Sequence, residues 1–155
     1  MRKALLSIAA GLCAAGIVAG AAMAADMKPD DSLKYRQGLF KALAWQLGPV
    51  VGMAKGEVPF NNEQLALRAS NMNAISKMLA EGFPKGSADG EIAGSKAKPE
   101  IWISAADFEA KLMALQTATA ALAADAGKLS QGDLGKHVAA IGGSCKGCHD
   151  SYRNR

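Results

Sequence analysis

The sequence predicts an all-α chain folded as an antiparallel four-helix bundle. Three observations predict it. Half of the 155 residues are hydrophobic but only 5% are aromatic. Ala and Leu dominate that apolar content, which favours helix over strand. Four stretches then step their apolar residues by three and four, the period of one helix face. Two of the three connections between them are short, which makes antiparallel neighbours.

The first two dozen residues stand apart from this pattern. Arg2 and Lys3 precede a nearly unbroken apolar run from Leu5 to Ala19, and Ala22-Met23-Ala24 supplies a small-residue cleavage site. That is the layout of a secretory signal peptide over 1–24. The run is short for a membrane span, which needs about 20 residues. Cys13 lies inside it, without the upstream Leu of a lipoprotein site, and would leave with the signal. A single domain over 25–155 follows, exported to the periplasm and with no membrane association once the signal is removed. Losing Arg2 and Lys3 lowers the formal charge from +4 to +2. No basic run suggests nucleic acid.

The first helix is expected from Pro29 to Lys55. Pro29 suits a first turn, and Asp30 and Asp31 complement the positive end of the helix dipole. Leu33, Arg36, Phe40, Leu43, Leu47 and Val50 form its stripe. Gly48-Pro49 should kink it or loosen a turn. Asn61, with Gln64 three places on, caps the second helix. Leu65, Ala69, Met72, Ser76 and Leu79 carry its stripe until Gly82 and Pro84 end it. Residues 82–103 form the longest loop, expected to be exposed and partly mobile. Its less polar end, Pro99 to Trp102, can fold back on the core. Ser104 and Asp107 cap the third helix, marked by Phe108, Leu112, Leu115, Thr119 and Leu122 and closed by Gly127. Ser130 and Asp133 cap the fourth, whose stripe is Leu134, Val138, Ile141, Cys145, Cys148 and Tyr152.

Chemistry concentrates at the end of that fourth helix. Cys145-Lys146-Gly147-Cys148-His149 is a C-x-x-C-H run, the pattern of c-type haem attachment. Residues three and four apart share a helix face, so both thiols can reach the two vinyl groups along one porphyrin edge. His149 then offers its imidazole to the iron from the same side. One covalently attached haem c per chain is the expectation. A thioredoxin-type dithiol would sit at a helix N-terminus after a strand, whereas this motif is near a helix C-terminus. A structural zinc needs four ligands, and His137 is about 18 Å of helix rise away. A disulfide within one helix would staple little, yet it remains an alternative.

The run Cys145 to Arg153, near the end of an exported four-helix chain, resembles the C-terminal end of the cytochromes c-prime, the class II c-type cytochromes. Lys34-Tyr35-Arg36-Gln37, Gly56-Glu57-Val58-Pro59-Phe60 and Pro99-Glu100-Ile101-Trp102 extend the resemblance over essentially the whole mature chain. The resemblance implies that Arg36 stands beside the haem propionates with Gln37 as its neighbour. It also implies that Arg153 flanks the proximal histidine and that Trp102 lies near the haem edge. Arg36 is a lone cation on an apolar stripe, which needs an anion, and a propionate would serve. A solvated helix charge, a surface cation and a packing aromatic are the plain alternatives for Arg36, Arg153 and Trp102 respectively.

The resemblance further places the distal residue four positions after Arg36, at Phe40. Some members carry Met there and ligate the iron through sulfur. Phe has no donor atom, so the iron is expected to be five-coordinate, with an aromatic ring crowding incoming ligands. Met53, Met72 and Met113 read as packing residues; Met78 stays open as a sixth ligand. The expected function is electron transfer, or binding of small diatomic gases such as NO and CO, rather than enzymatic catalysis. A six-coordinate low-spin carrier and a non-haem helical module with a disulfide are the alternatives. The redox partner is not legible. The resemblance also implies a homodimer through the first two helices, with Leu39 or Val51 at its interface.

Overall fold

The computed structural model describes residues 28–155. The signal peptide over 1–24, Cys13 and the start of the mature chain lie outside the described residues. Four long helices, α1 (Pro29–Lys55), α2 (Asn62–Met78), α4 (Ala105–Asp125) and α5 (Gln131–Tyr152), form the bundle. A 3-10 turn (Leu79–Gly82) and a one-turn helix, α3 (Glu100–Ile103), sit in the long connection. Among the described residues there is no strand, only an isolated antiparallel bridge between Ala97 and Arg153.

The helices pack as a ring in the order α1, α2, α4, α5. Side-chain hydrogen bonds fix their directions. Gln46 and Arg68 join α1 to α2, and Tyr35 reaches Glu81 from the start of α1 to the turn after α2. Asn62 meets Gly127 while Ser76 meets Thr119, so α2 runs against α4. Tyr152 bonds Asp107 and His137 pairs with Asp125, so α4 runs against α5. The order is up-down-up-down, and the C-terminal end of α5 lies beside the N-terminal half of α1, as the sequence predicts.

The predicted boundaries hold because their caps hold. The Asn61 carboxamide accepts from Gln64 N–H at 2.8 Å, and Ser130 Oγ accepts from Asp133 N–H at 3.3 Å. Ser104 departs from the prediction: its side chain makes no capping bond, and only its carbonyl receives Asp107 and Phe108. Pro49 lies inside α1, which continues as helix to Lys55 as predicted. The carbonyl it orphans belongs to Trp45, whose side chain is 77% exposed, so water can take the place of the missing N–H. Val50, Leu65, Met72, Leu79, Leu122, Leu134 and Ile141 are fully buried and form the core.

The long connection is less exposed than predicted. Ser87, Ala88, Ser95 and Ala97 are buried in it. Its two ends are tied down: Asp89 N–H donates to Ala97 O, Lys98 N–H to Tyr152 O, and Asn154 N–H to Lys96 O. The connection therefore decorates one end of the bundle, the end that carries the C-x-x-C-H run.

Gly82 marks the tightest approach in this region. A Cβ there would stand 2.5 Å from the Arg36 Cβ and 3.2 Å from its Cα. Gly82→Ala should therefore destabilise the fold by about 2 kcal/mol, since backbone must move to relieve the overlap. Gly135→Ala, where an added Cβ meets nothing within 4 Å, should instead stabilise α5 by about 0.5–1 kcal/mol. Thermal or urea denaturation of the pair checks both signs.

Candidate functional site

At this end of the bundle the four walls enclose a cavity of about 660 Å³, within the ordinary range for a small-molecule or cofactor pocket. Its walls are mainly apolar, from Leu33, Leu43, Leu47, Ile101, Leu112 and Leu115. Seven of the eight sequence-predicted site residues line it: Arg36, Gln37, Phe40, Cys145, Cys148, His149 and Arg153. Trp102 does not. Its indole N–H donates to the Phe83 carbonyl at 3.2 Å, so it acts on the cavity through Phe83.

The helix delivers the motif as its spacing requires. Cys145 and Cys148 are half-buried, unbridged, and packed against the core from one face of α5. Burial pushes both thiols up, and for Cys148 the neighbouring Cys145 adds to it. They are held as neutral thiols, the opposite of the depressed thiolate that a disulfide oxidoreductase needs. His149 is more exposed and lines both this cavity and a second one beyond it, bordered by Lys98, Asp150 and Arg155. Its imidazole is shifted down, first by burial and then by the Arg153 charge, which favours the neutral form that can donate a lone pair to a metal.

Opposite His149 stands Phe40. The two ring centroids are 6.3 Å apart and the rings are inclined at 65°. Phe40 in turn meets Phe83 edge-on at 6.4 Å, Phe83 meets Phe108 at 4.9 Å, and Phe108 meets Tyr152 at 5.3 Å. The Tyr152 hydroxyl donates to Asp107 at 2.6 Å, and this bond pushes its pKa up to about 12. The sequence pattern did not point to Phe83. It sits in a Gly-, Pro- and Lys-rich loop with no periodicity to mark it. Among the described residues no methionine lines the cavity: Met53 and Met72 are buried in the core, and Met78 and Met113 are exposed.

Arg36 is 4% exposed and its charge is satisfied in an unexpected way. Nη1 donates to Gly82 O at 3.0 Å and to Ser87 Oγ at 2.8 Å. Nη2 donates to Ser87 O at 2.7 Å and to Ser95 Oγ at 2.8 Å. The guanidinium also lies over the Phe83 ring, 5.0 Å from its centroid. All four Nη hydrogens thus go to neutral oxygens of the long connection, and only Nε is left to face an anion. Burial depresses the Arg36 pKa, yet a guanidinium stays protonated. Gln37 is more loosely placed, with Nε2 donating to Gly94 O at 3.4 Å.

Two thiols and an imidazole on one helix face, an apolar slot before them and cations at its mouth suit a large, flat, apolar group that bears carboxylates and a metal. A bare metal ion fits less well: among the described residues no three His, Cys, Asp or Glu side chains gather to hold one.

Comparison with known proteins gives the same answer. The family model described as cytochrome c' matches residues 31–153. Cytochrome c' of Cereibacter sphaeroides is 38% identical over 154 residues, covering 99% of this chain and 98% of that one. Among solved structures, cytochrome c prime from Shewanella frigidimarina superposes with a TM-score of 0.76 at 38% identity, covering 83% of this chain and 98% of the other. A nitric oxide complex of a leucine-to-isoleucine mutant of cytochrome c prime from Alcaligenes xylosoxidans superposes at 0.75 with 32% identity, covering 83% and 98%. The chain belongs to the cytochrome c' family of four-helix cytochromes, whose haem c is covalently attached.

Proposed function

We propose that this chain is a periplasmic cytochrome c' with five-coordinate iron, serving electron transfer, binding of diatomic gases such as NO and CO, or both. The observation that carries the reading is the pairing of His149 with Phe40 across a cavity that no methionine of the described residues lines. Cys145 and Cys148 are the residues placed to form the thioethers, and His149 to supply the proximal nitrogen. When bound, haem would supply a one-electron couple and an iron able to take a diatomic ligand. The chain's own residues do the rest. The apolar walls would exclude water from a bound haem, and Phe40, across the cavity from His149, has no donor atom to offer its iron. Lys96, Arg153, Gln37 and the free Nε of Arg36 line the same cavity and would hold the propionates. The nitric oxide bound in the Alcaligenes protein, on a similar fold, supports the gas-binding half of the reading.

A sixth ligand from Met78 is disfavoured. That side chain is 40% exposed near the end of α2 and lies outside the cavity. No helix among the described residues is long and apolar enough to cross a membrane, and the leader read over 1–24 supports export. No catalytic reaction is proposed. Of the two residues the resemblance suggested for a homodimer through α1 and α2, Val51 stays half-exposed and outside the core cluster. Leu39 is packed against the core, whereas Trp45 and Leu67 are 77% and 56% exposed. The Gln46–Arg68 hydrogen bond sets those two residues opposite each other. One position earlier on two antiparallel helices, Trp45 and Leu67 turn to the same outer side. One position later, Leu47 and Ala69 turn inward, and both pack in the core.

Phe40→Ala should raise the CO or NO association rate roughly tenfold by opening the distal side, about 1.4 kcal/mol of barrier; an unchanged rate in flash photolysis would refute Phe40 as the gate. The oxidised protein should show no sulfur-to-iron charge-transfer band, and Met78→Leu should leave its optical spectrum as it was. Trp45→Glu should shift the sedimentation coefficient toward the monomer if α1 and α2 form the interface, while leaving the haem spectrum untouched.

A further inference from the structure

Haem attachment would occupy Cys145, Cys148 and His149 and leave one reactive side chain in the cavity wall without a task. With both thiols made into thioethers, the side chains that still give up an electron readily are tyrosine, tryptophan and methionine. Among the described residues, Tyr152 is the one of these that lines the cavity. The other aromatic rings there are Phe40, Phe83 and Phe108, and a phenyl ring is far harder to oxidise than a phenol.

Tyr152 is placed for such a loss. It follows Cys148 by four residues on the same face of α5, about 6 Å of helix rise. Its ring is buried and meets Phe108 edge-on at 5.3 Å. The hydroxyl donates to Asp107 Oδ2 at 2.6 Å, and that bond keeps the phenol protonated. A phenol that loses an electron becomes a strong acid and must shed its proton with it. Asp107 is a proton acceptor already in hydrogen-bond contact, and its residue is exposed, so the proton can pass on to water. Tyr35, the other tyrosine of the chain, makes the contrast. It too donates to a carboxylate, that of Glu81 at 3.0 Å, but it does not line the cavity.

We propose that Tyr152 is a redox-active tyrosine, which supplies an electron when a peroxide is reduced at the bound haem and hands its proton to Asp107. The proposal rests on the haem reading. Hydrogen peroxide is the oxidant and reduced haem the co-reductant. Peroxide takes up two electrons and two protons, its O–O bond breaks, and two waters form. One electron comes from ferrous iron, which becomes ferric. The other comes from Tyr152, which becomes a neutral tyrosyl radical. The Tyr152 proton goes to the Asp107 carboxylate, and solvent supplies the two protons that end on water. The event is stoichiometric, one radical per haem, and it diverts an oxidising equivalent from the porphyrin and its thioethers.

Electron paramagnetic resonance tests this, on reduced holo-protein frozen shortly after mixing with hydrogen peroxide. The native chain should give an organic radical whose hyperfine pattern narrows when the protein is made with ring-deuterated tyrosine. Tyr152→Phe retains the ring against Phe108 and should abolish that signal, whereas Tyr35→Phe should keep it. Asp107→Asn still accepts a hydrogen bond but takes up no proton, and should slow radical formation about tenfold or more; Asp107→Glu should restore it. A signal that survives Tyr152→Phe, one lost equally in Tyr35→Phe, a tryptophanyl pattern, or an unchanged rate in Asp107→Asn overturns the proposal. Haem is measured separately, as the pyridine haemochrome of the starting protein. Its absence overturns the haem reading and this proposal with it, whereas haem without a Tyr152 radical overturns this proposal alone.

Discussion

The end of the bundle that matters is organised around one buried cation. Arg36 has no carboxylate partner among the described residues, and burying such a charge costs several kcal/mol. Four charge-assisted hydrogen bonds to Gly82, Ser87 and Ser95 offset this, each contributing about 1.5–3 kcal/mol. The long connection can supply those oxygens only by wrapping round the guanidinium. Its path, the close approach of Gly82 and the seat of Phe83 all result from that wrapping. Phe83 is held on three sides, by the guanidinium over its ring, by Phe108 at its edge and by Trp102 at its carbonyl.

The cavity is thereby divided between two kinds of support. Attachment chemistry sits entirely on α5, where helical geometry alone sets the thiols and the imidazole. The distal and lateral walls come from α1, α4 and the connection, and these are fixed by Arg36, by the run of edge-on aromatic contacts and by the Tyr152–Asp107 bond. A change on α5 would alter what is bound. A change around Arg36 would alter the shape it is bound in.

Much of this was legible in the sequence, for identifiable reasons. Helix stripes and the caps at Asn61 and Ser130 are local signals, so element order, direction and the C-x-x-C-H face could be read from spacing. Seven site residues converged because they lie on two neighbouring antiparallel helices or directly after them. Other features depend on contacts that no local pattern encodes. Ser87 and Ser95 are ordinary loop residues until Arg36 meets them 51 and 59 positions away. Trp102 was assigned to the cavity by resemblance, but its one polar bond turns it to the back of Phe83. The rule for proline is local and marks Pro49 only as a weak point, whereas its tolerance inside α1 depends on the solvent exposure around Trp45. Leu39 was offered as an interface residue by resemblance, whereas it packs half-buried against the core.

The position of the attachment motif has a consequence for assembly. A chain is synthesised from its N-terminus, so α1, α2, the connection and α4 all exist before Cys145 does. The ties that close the side of the cavity come later still: Tyr152 bonds Asp107 and packs on Phe108, its carbonyl receives Lys98, and Asn154 donates to Lys96 O. Anchors and the last fastenings of the wall therefore arrive together, within ten residues of one another, and a chain that stopped at His149 would carry the whole motif with one side of its pocket unlatched.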